Sequence, residues 1–414
     1  MWNTTWRYAE GWTIGIGLFM TGIILQLTVG KVDTAFVQYP VNLIFGGGYL
    51  IILILLHFLG RIKTPLRWFS GLEASITSLL SLLVMVILMG LTRQVAPSEN
   101  LSSGGLAWLG FMQMTSSWPF ILLFLYFLSV LGLVTLRKIS SFRWKDIPFF
   151  LNHAGLFITL WAAILGSGDL HRLRMTVSKD AVEWRAIDEN NELTELPLAI
   201  ELKSFVIEEY PPKLMLIDNI TGKALPEKQP VNFLVEEAPC SGSLLDWEVE
   251  VSNYLPMAAC VANADTVNFV GFNSEGATSA LYVKARNKHS GAMHEGWISS
   301  GNYMFPYVTL PLDENMVMVM PEREPKRFVS DVIVYKEKDK QKVEARIEVN
   351  KPLNVAGWNI YQLSYDETMG KWSNSSVFEL VRDPWLPIVY TGIFLMLAGA
   401  VCLFVQAPKK GRVE

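Results

Sequence analysis

Charged residues are scarce in this sequence. Only 18% of its 414 residues are Asp, Glu, Lys or Arg, whereas 51% are hydrophobic, and the mean hydropathy is positive at +0.28. Soluble globular domains carry about 25% charged residues. The composition therefore argues against a soluble protein and favours an integral membrane protein that carries one aqueous domain.

Motifs of common catalytic and nucleotide-binding sites are also missing. The sequence contains no GxxxxGK(S/T), no GxGxxG behind a predicted strand, no HExxH and no GxSxG. It lacks CxxCH, so the chain does not itself carry covalently attached haem. Carboxylate pairs such as Glu208 and Glu209 lie in charged runs that are typical of a solvated surface. An ordinary hydrolase or kinase has no support.

Cysteine is rare, with three in the whole chain. Cys402 lies in the last apolar segment and is interpreted as inert packing. Cys240 and Cys260 share the long polar segment before it. If that segment lies outside the cytoplasm, a disulfide between them is one interpretation, and two free thiols are the other.

Apolar segments long enough to cross a bilayer occur six times. A span needs about 20 mostly apolar residues. The segments that qualify are residues 12–29, 41–60, 72–91, 119–136, 148–165 and 385–405. The sequence therefore predicts an integral membrane α-helical bundle of about six spans, divided into a five-span part at 1–167 and a last span with its tail at 384–414.

The distribution of Lys and Arg predicts how these spans are oriented. The short segments on one side hold eleven Lys and Arg, and those on the opposite side hold two. Because basic residues concentrate in cytoplasmic loops, both termini are expected in the cytoplasm and residues 168–383 on the outer side of the cytoplasmic (inner) membrane. This outer segment holds 33 acidic and 22 basic residues, a net charge of −11, which argues against a nucleic-acid partner.

The outer segment is predicted to be an inserted extracytoplasmic β-rich domain. Short alternating runs separated by turn residues are typical of half-buried strands. The clearest unit is a hairpin of residues 332–335 and 343–349 across a Lys/Asp-rich turn. Further strands are expected at 198–210, 247–251, 280–285, 316–320, 358–363 and 377–381. A sandwich or a partly open barrel is the expected fold.

Histidine is the one residue type left that suggests chemistry, and there are five. His57 and His153 lie in predicted spans near the same cytoplasmic leaflet. An imidazole there can ligate haem iron or carry a proton, or it can simply be an interfacial residue hydrogen-bonded to a neighbour or to water. His171 lies outside the fifth span beside two arginines, and His289 and His294 belong to a predicted surface loop without further metal ligands.

Several short motifs in the second half of the chain carry a family resemblance. They are 326–332 (KRFVSDV), 349–353 (VNKPL), Gly357, 361–362 (YQ), 364–366 (SYD), 383–385 (DPW) and, upstream, 117–120 (SWPF) and 152–156 (NHAGL). In this order, over roughly residues 110–405, they resemble the ResB (also called CcsB) family of system II cytochrome c biogenesis proteins.

The resemblance implies a function. System II proteins move haem across the membrane, keep it reduced, and present it to apocytochrome c for bonding at CxxCH. The tryptophan-rich motif of the CcsA half is absent, which implies a separate CcsA-type membrane partner, and a thioredoxin-like reductant for the substrate thiols. The chain alone is then a shared or non-catalytic subunit of a holocytochrome c synthetase.

The resemblance also implies a site. A family histidine within a span ligates non-covalent haem b, and His153 lies in the matching NHAGL motif, with His57 as the second candidate. One departure concerns His57: five predicted spans precede the outer domain, where many family members have three. The competing hypothesis is a membrane-anchored interaction or sensing protein without haem, in which the outer domain binds a ligand or partner and the spans only anchor it.

Overall fold

The structure is a computed structural model that describes residues 6–33, 37–95, 104–263, 266–337 and 341–406. The chain divides into two compact units. The membrane unit comprises Met1–Arg172 and Val381–Glu414, and the second unit comprises Leu173–Leu380. The second unit is called the outer unit after the side that the distribution of Lys and Arg predicts for it.

The membrane unit is helical. Its helices are α1 (Tyr8–Val29), α2 (Val41–Gly60), α3 (Thr64–Trp68), α4 (Leu72–Leu91), α5 (Gly105–Trp108), α6 (Trp118–Ser140), α7 (Ile147–Gly166) and α8 (Leu386–Gln406). Within the described residues, six of them are long and apolar enough to span a membrane, namely α1, α2, α4, α6, α7 and α8. Each coincides with one of the six predicted apolar segments to within a few residues at its ends, which confirms the multi-pass bundle.

Small residues bring α1 against α4. Gly11 and Gly15 are buried on one face of α1, four residues apart. A Cβ atom added to Gly11 would lie 2.3 Å from Thr77 Oγ1, and one added to Gly15 would lie 2.6 Å from Ser81 Oγ. In a bilayer, small side chains let helix backbones approach closely and gain van der Waals contact.

The closest helix pair in this unit is α7 with α8. A Cβ atom on Gly155 would lie 2.6 Å from the carbonyl oxygen of Gly392, and one on Gly399 would lie 2.5 Å from Asn152 Nδ2. Neither position therefore has room for a residue larger than glycine. The last span is therefore held to α7 along the face that carries Asn152, Gly155 and Thr159.

The outer unit consists of strands. They are β1 (His171–Ser178), β2 (Val182–Ile187), β3 (Leu193–Glu209), β4 (Lys213–Asp218), β5 (Asn232–Leu234), β6 (Cys240–Leu244), β7 (Trp247–Asn263), β8 (Thr266–Gly271), β9 (Thr278–Asn287), β10 (Met293–Ser299), β11 (Leu310–Pro311), β12 (Met316–Val319), β13 (Pro325–Lys336), β14 (Lys342–Glu348), β15 (Leu353–Val355), β16 (Trp358–Tyr365) and β17 (Ser375–Arg382). The predicted hairpin is β13–β14, in which Val332 pairs with Ala345 and Tyr335 with Lys342.

Eight of these strands form a nearly closed barrel, in the order β14-β13-β3-β2-β1-β17-β16-β15. The strands at its two edges meet, since β14 contacts both β15 and β16. Alternate side chains point inward, as the two-residue period of a strand requires, and they form a core that includes Val177, Leu202 and Phe378. The expected barrel is therefore present.

The remaining strands form two facing sheets. One has the order β10-β9-β7-β6, with β8 paired to the far end of β7, and the other has the order β11-β12-β4-β5. Their shared core includes Leu214 and Met318 from one sheet and Trp247 and Leu281 from the other. The outer unit thus combines a barrel with a small sandwich.

The disulfide interpretation of Cys240 and Cys260 is wrong, because both thiols are free. Cys240 pairs with Val251 across β6 and β7. Cys260 lies nine residues farther along β7, opposite Phe269. Nine strand residues span about 30 Å, whereas a disulfide needs Cα atoms within about 7 Å. Burial raises the pKa of the Cys240 thiol, which also makes it less reactive.

Candidate functional site

His153 lies in the second turn of α7, a helix that begins at Ile147 with Pro148 in its first turn. The Nδ1 atom is 2.9 Å from the carbonyl oxygen of Phe149, four residues earlier. The imidazole also stacks on the Phe149 ring, with centroids 3.7 Å apart and planes inclined by 19°. The ring is therefore held by one polar and one apolar contact from the same residue.

This hydrogen bond determines which nitrogen of His153 is available. A carbonyl oxygen only accepts, so Nδ1 must carry the proton and donate it. In the neutral imidazole, the lone pair is then on Nε2. Within the described residues, Nε2 makes no hydrogen bond, and the side chain is half-buried. Protein histidines that ligate metals are commonly oriented by such a hydrogen bond from the other nitrogen.

Aromatic rings continue along α7 from His153 at four-residue spacing. The Phe157 ring packs against Gly132 of α6, and the Trp161 ring packs against Gly46 of α2. Trp161 also stacks on Phe157, with centroids 6.0 Å apart. His153 is on this stripe of α7, whereas Gly155 is on the face that packs against α8. Phe157 and Trp161 thus pack this side of α7 against α6 and α2, and Phe149 provides the ring that contacts His153 itself.

His57 lies in the last turn of α2 and has different surroundings. Its Nε2 atom is 2.9 Å from Ser140 Oγ on α6 and 3.5 Å from the Arg61 guanidinium. His57 thus lies in a polar cluster, and its Nε2 atom already contacts Ser140 and Arg61. No hydrogen bond or ring contact joins His57 to His153 among the described residues. Their roles as haem ligands remain predictions.

A polar junction that the sequence interpretation missed connects three segments of the membrane unit. Asp169 accepts hydrogen bonds from the Tyr39 backbone N–H at 2.8 Å, Asn42 Nδ2 at 2.6 Å and Trp385 Nε1 at 2.8 Å. Asn42 is fully buried and also donates to the carbonyl oxygen of Leu165 at 2.9 Å. Two sequence features could have pointed to this junction. An acidic residue follows a span in GSGD, and a tryptophan precedes a span in DPW.

The electrostatics of this junction favour a charged carboxylate. Burial raises the pKa of Asp169, but the hydrogen bonds from Tyr39, Trp385 and Asn42 outweigh it and leave the pKa below its usual value. The carboxylate joins the start of α2, the end of α7 and the start of α8. Its role is therefore to hold the ends of the spans together.

The motif residues of the barrel have structural roles. Ser330 of KRFVSDV donates to Gln362 Oε1 at 2.5 Å and lies 2.9 Å from Ser376 Oγ, and all three side chains are buried. Since β13 is not a neighbour of β16 or β17 in the sheet, this network crosses the barrel interior. Tyr365 stacks on Phe328 with centroids 5.5 Å apart. These residues maintain the fold.

An ion cluster lines a small cavity of about 130 Å³ in the outer unit. Arg323 lies 3.1 Å from Glu209, and Lys371 lies 4.0 Å from the same carboxylate. Burial lowers the pKa of Lys371, while the charge of Glu209 acts in the opposite direction. Both basic side chains are thus paired with a carboxylate, as in a structural ion cluster. Among the described residues, no group of three or more His, Cys, Asp or Glu side chains is placed to hold a metal ion.

The six apolar helices and the β-rich unit define a multi-pass membrane protein with one large non-membrane domain. Residues 293–375 match the model of the ResB-like family, which confirms the family resemblance found in the sequence. At the level of the family, this match associates the chain with cytochrome c biogenesis. It includes the motifs of β13 and β16, and His153 lies outside it. A search of curated proteins gave no match.

Proposed function

We propose that this chain is a membrane subunit of the system II cytochrome c biogenesis complex. In this proposal it takes part in moving haem b across the cytoplasmic membrane and delivers it to apocytochrome c together with a CcsA-type partner. Haem is the cargo and is held non-covalently. His153 provides one axial ligand through Nε2, and a histidine of the partner provides the other, with His57 as the second candidate within this chain.

One observation carries the proposal: Nδ1 of His153 donates to the Phe149 carbonyl at 2.9 Å. The bond leaves Nε2 with a lone pair, which is the form of imidazole that binds iron. The stacking of the imidazole on Phe149 supports the same interpretation, because it fixes the ring plane of the ligand. Ionisable residues within membrane spans are rare and commonly have a function.

The partners follow from what the chain lacks. Its sequence has no tryptophan-rich motif of the CcsA type, so formation of the thioether bonds is assigned to the whole complex. Reduced substrate thiols are required for that step, which a thioredoxin-like reductant would supply. The outer unit is predicted to lie on the outer side of the membrane. There it would contact the CcsA-type partner or apocytochrome c.

The experiment is the absorption spectrum of the full chain, co-expressed and purified with a CcsA-type protein. We expect a b-type haem spectrum that His153→Ala abolishes or strongly weakens. The matched control is His289→Ala, since His289 is exposed in the outer unit with a side-chain accessibility of 78%. The variant His57→Ala tests the second candidate in the same preparation.

Two outcomes contradict the proposal in different ways. An unchanged haem spectrum in His153→Ala removes this residue from the site but leaves the complex as a haem carrier. A haem-free preparation that contains the CcsA-type partner supports the alternative, a membrane-anchored interaction or sensing protein without haem.

A further inference from the structure

A basic cavity of about 280 Å³ lies where α2 and α6 end and α3 begins. Its polar lining comprises Arg61, Arg67, Arg137, His57, Ser70 and Ser140. None of the lining residues is acidic. Three permanent positive charges therefore surround one opening, on the side of the membrane unit that the distribution of Lys and Arg assigns to the cytoplasm.

The arginines of this cavity have no counter-charge in the described part of the chain. Neither Arg61, Arg67 nor Arg137 forms an ion pair there. Two of them are positioned by neutral groups: Arg61 donates to Ser140 Oγ at 3.1 Å, and Arg137 donates to the Ser70 carbonyl at 2.9 Å. Like charges gathered around one space repel, and a bound anion would relieve that repulsion.

The chemistry of the lining selects for an oxyanion. A guanidinium presents N–H donors in a planar fork that matches phosphate or carboxylate oxygens, and such charge-assisted hydrogen bonds are stronger than neutral ones. The volume of about 280 Å³ exceeds the roughly 30 Å³ that one water occupies in the liquid, so a phosphoryl group fits.

Apolar side chains beside the cavity indicate where the phosphate comes from. Phe58, Leu59, Ile62 and Ile139 are all exposed, and Ile62 is 78% accessible. These residues lie at the ends of membrane-spanning helices, where lipid chains and headgroups meet. A charged recess bordered by apolar side chains has the polarity profile of a phospholipid, and basic pockets between spans are a known form of headgroup site.

We propose that this cavity binds the phosphate group of an anionic membrane lipid, with Arg61, Arg67 and Arg137 as its donors. His57, the second haem-ligand candidate, also lines this cavity. The inference does not depend on the haem role of His153, and none of the three arginines is a proposed haem ligand. A free phosphate anion would use the same donors, so the test must separate the two sources.

The test compares the full chain in nanodiscs of phosphatidylglycerol and of phosphatidylcholine, with retained lipid counted by native mass spectrometry. We expect selective retention of phosphatidylglycerol, weakened about tenfold or more in Arg61→Gln/Arg67→Gln. The control is Arg143→Gln/Lys145→Gln, which removes two exposed charges on the same predicted side of the membrane but outside the cavity. It should retain lipid as the unmodified chain does.

A second arm measures binding of inorganic phosphate to the chain in neutral detergent. Phosphate binding that requires Arg61 and Arg67, without any lipid preference, supports the oxyanion site and overturns the lipid source. Lipid and phosphate binding that are the same in the double variant and its control overturn the proposal. The single variant Arg67→Gln covers the case in which the double variant does not fold, because the Arg67 side chain makes no hydrogen bond to the described residues.

Discussion

The imidazole of His153 lies flat on the ring of Phe149, one turn earlier on the same helix, with ring centroids 3.7 Å apart. The same pair is joined by the hydrogen bond from Nδ1 to the Phe149 carbonyl at 2.9 Å. Stack and hydrogen bond together set the ring plane and the tautomer. A ligand that binds Nε2 therefore meets a pre-oriented nitrogen.

The first prediction concerns Phe149 as a positioning residue. In Phe149→Ala the backbone carbonyl remains, so the tautomer is kept while the ring loses its stacking partner. We expect haem occupancy to fall about 10-fold, within the range for groups that orient metal ligands, with the b-type shape of the spectrum retained. Haem titration of the co-purified complex measures this. Phe150→Ala, one residue away on α7, is the control, and equal losses in both variants would contradict a positioning role.

The second prediction concerns the junction of Asp169 and Trp385. Trp385→Phe keeps an aromatic ring against Gly166 but removes the donor that lies 2.8 Å from Asp169. We expect a loss of about 1–3 kcal/mol in unfolding free energy. Thermal unfolding of the purified chain measures it, with Trp144→Phe as control because Trp144 is 81% exposed. A Trp385 variant as stable as this control would show that the hydrogen bond contributes nothing.

The pH dependence of this junction has a defined sign. Because the folded pKa of Asp169 is depressed, its contribution to stability is complete above the unfolded value of about 3.9 and is lost as the pH falls through the folded pKa. The charge of His171 also acts on Asp169, so the comparison is made with His171→Gln in both chains. In that background, the stability difference between Asp169 and Asp169→Asn should stay constant between pH 5 and 8. A difference that changes within this window would contradict a depressed pKa.

The third prediction concerns the packing of α7 on α8. A Cβ atom on Gly155 would lie 2.6 Å from the Gly392 carbonyl oxygen, which is backbone and cannot rotate away. Gly155→Ala should therefore destabilise the chain by about 1–3 kcal/mol. Gly47→Ala is the matched control, since nothing lies within 4 Å of a Cβ atom there. The unfolding midpoints of the two variants are measured in the same detergent. Equal midpoints would contradict a close packing of α7 on α8 at Gly155.

The fourth prediction concerns the network inside the barrel. Ser330→Ala removes the hydroxyl that donates to Gln362 Oε1, so this buried oxygen is left without a donor. We expect the free energy of unfolding to fall by about 1–3 kcal/mol. Adding Gln362→Leu and Ser376→Ala should restore part of this loss, because all three buried polar side chains of the network are then gone. Hydrogen exchange of β13 and β16 in the full chain measures the effect, with the exposed Ser243→Ala as control. Strictly additive losses would contradict a direct interaction.

The sequence was sufficient for the elements whose signal is local. Apolar length alone marked all six spans, and two strand-like runs on either side of a Lys/Asp-rich turn marked the β13–β14 hairpin. The motifs of β13 and β16 led to the family, and the structure shows what they do in the barrel: Ser330 and Gln362 meet across its interior.

Long-range relationships were not accessible in the same way. Asp169 and Trp385 are 216 residues apart, and nothing in either local pattern names the other as its partner. The disulfide interpretation failed for the same reason, since the sequence spacing does not show that Cys240 in β6 pairs with Val251, nine residues before Cys260 on β7. His153 was identified by residue type and motif, whereas its tautomer required the three-dimensional contact with Phe149.

The most direct test of whether His153 ligates haem is chemical rescue of His153→Gly, a variant in which the missing side chain leaves a cavity. In the complex with a CcsA-type partner, His153→Gly should lose the b-type haem spectrum, and added imidazole should restore it because a free ring can occupy the vacated ligand position. The exposed control His289→Gly should keep its haem and be insensitive to imidazole. A full haem spectrum in His153→Gly without imidazole would contradict the assignment of His153 as the axial ligand.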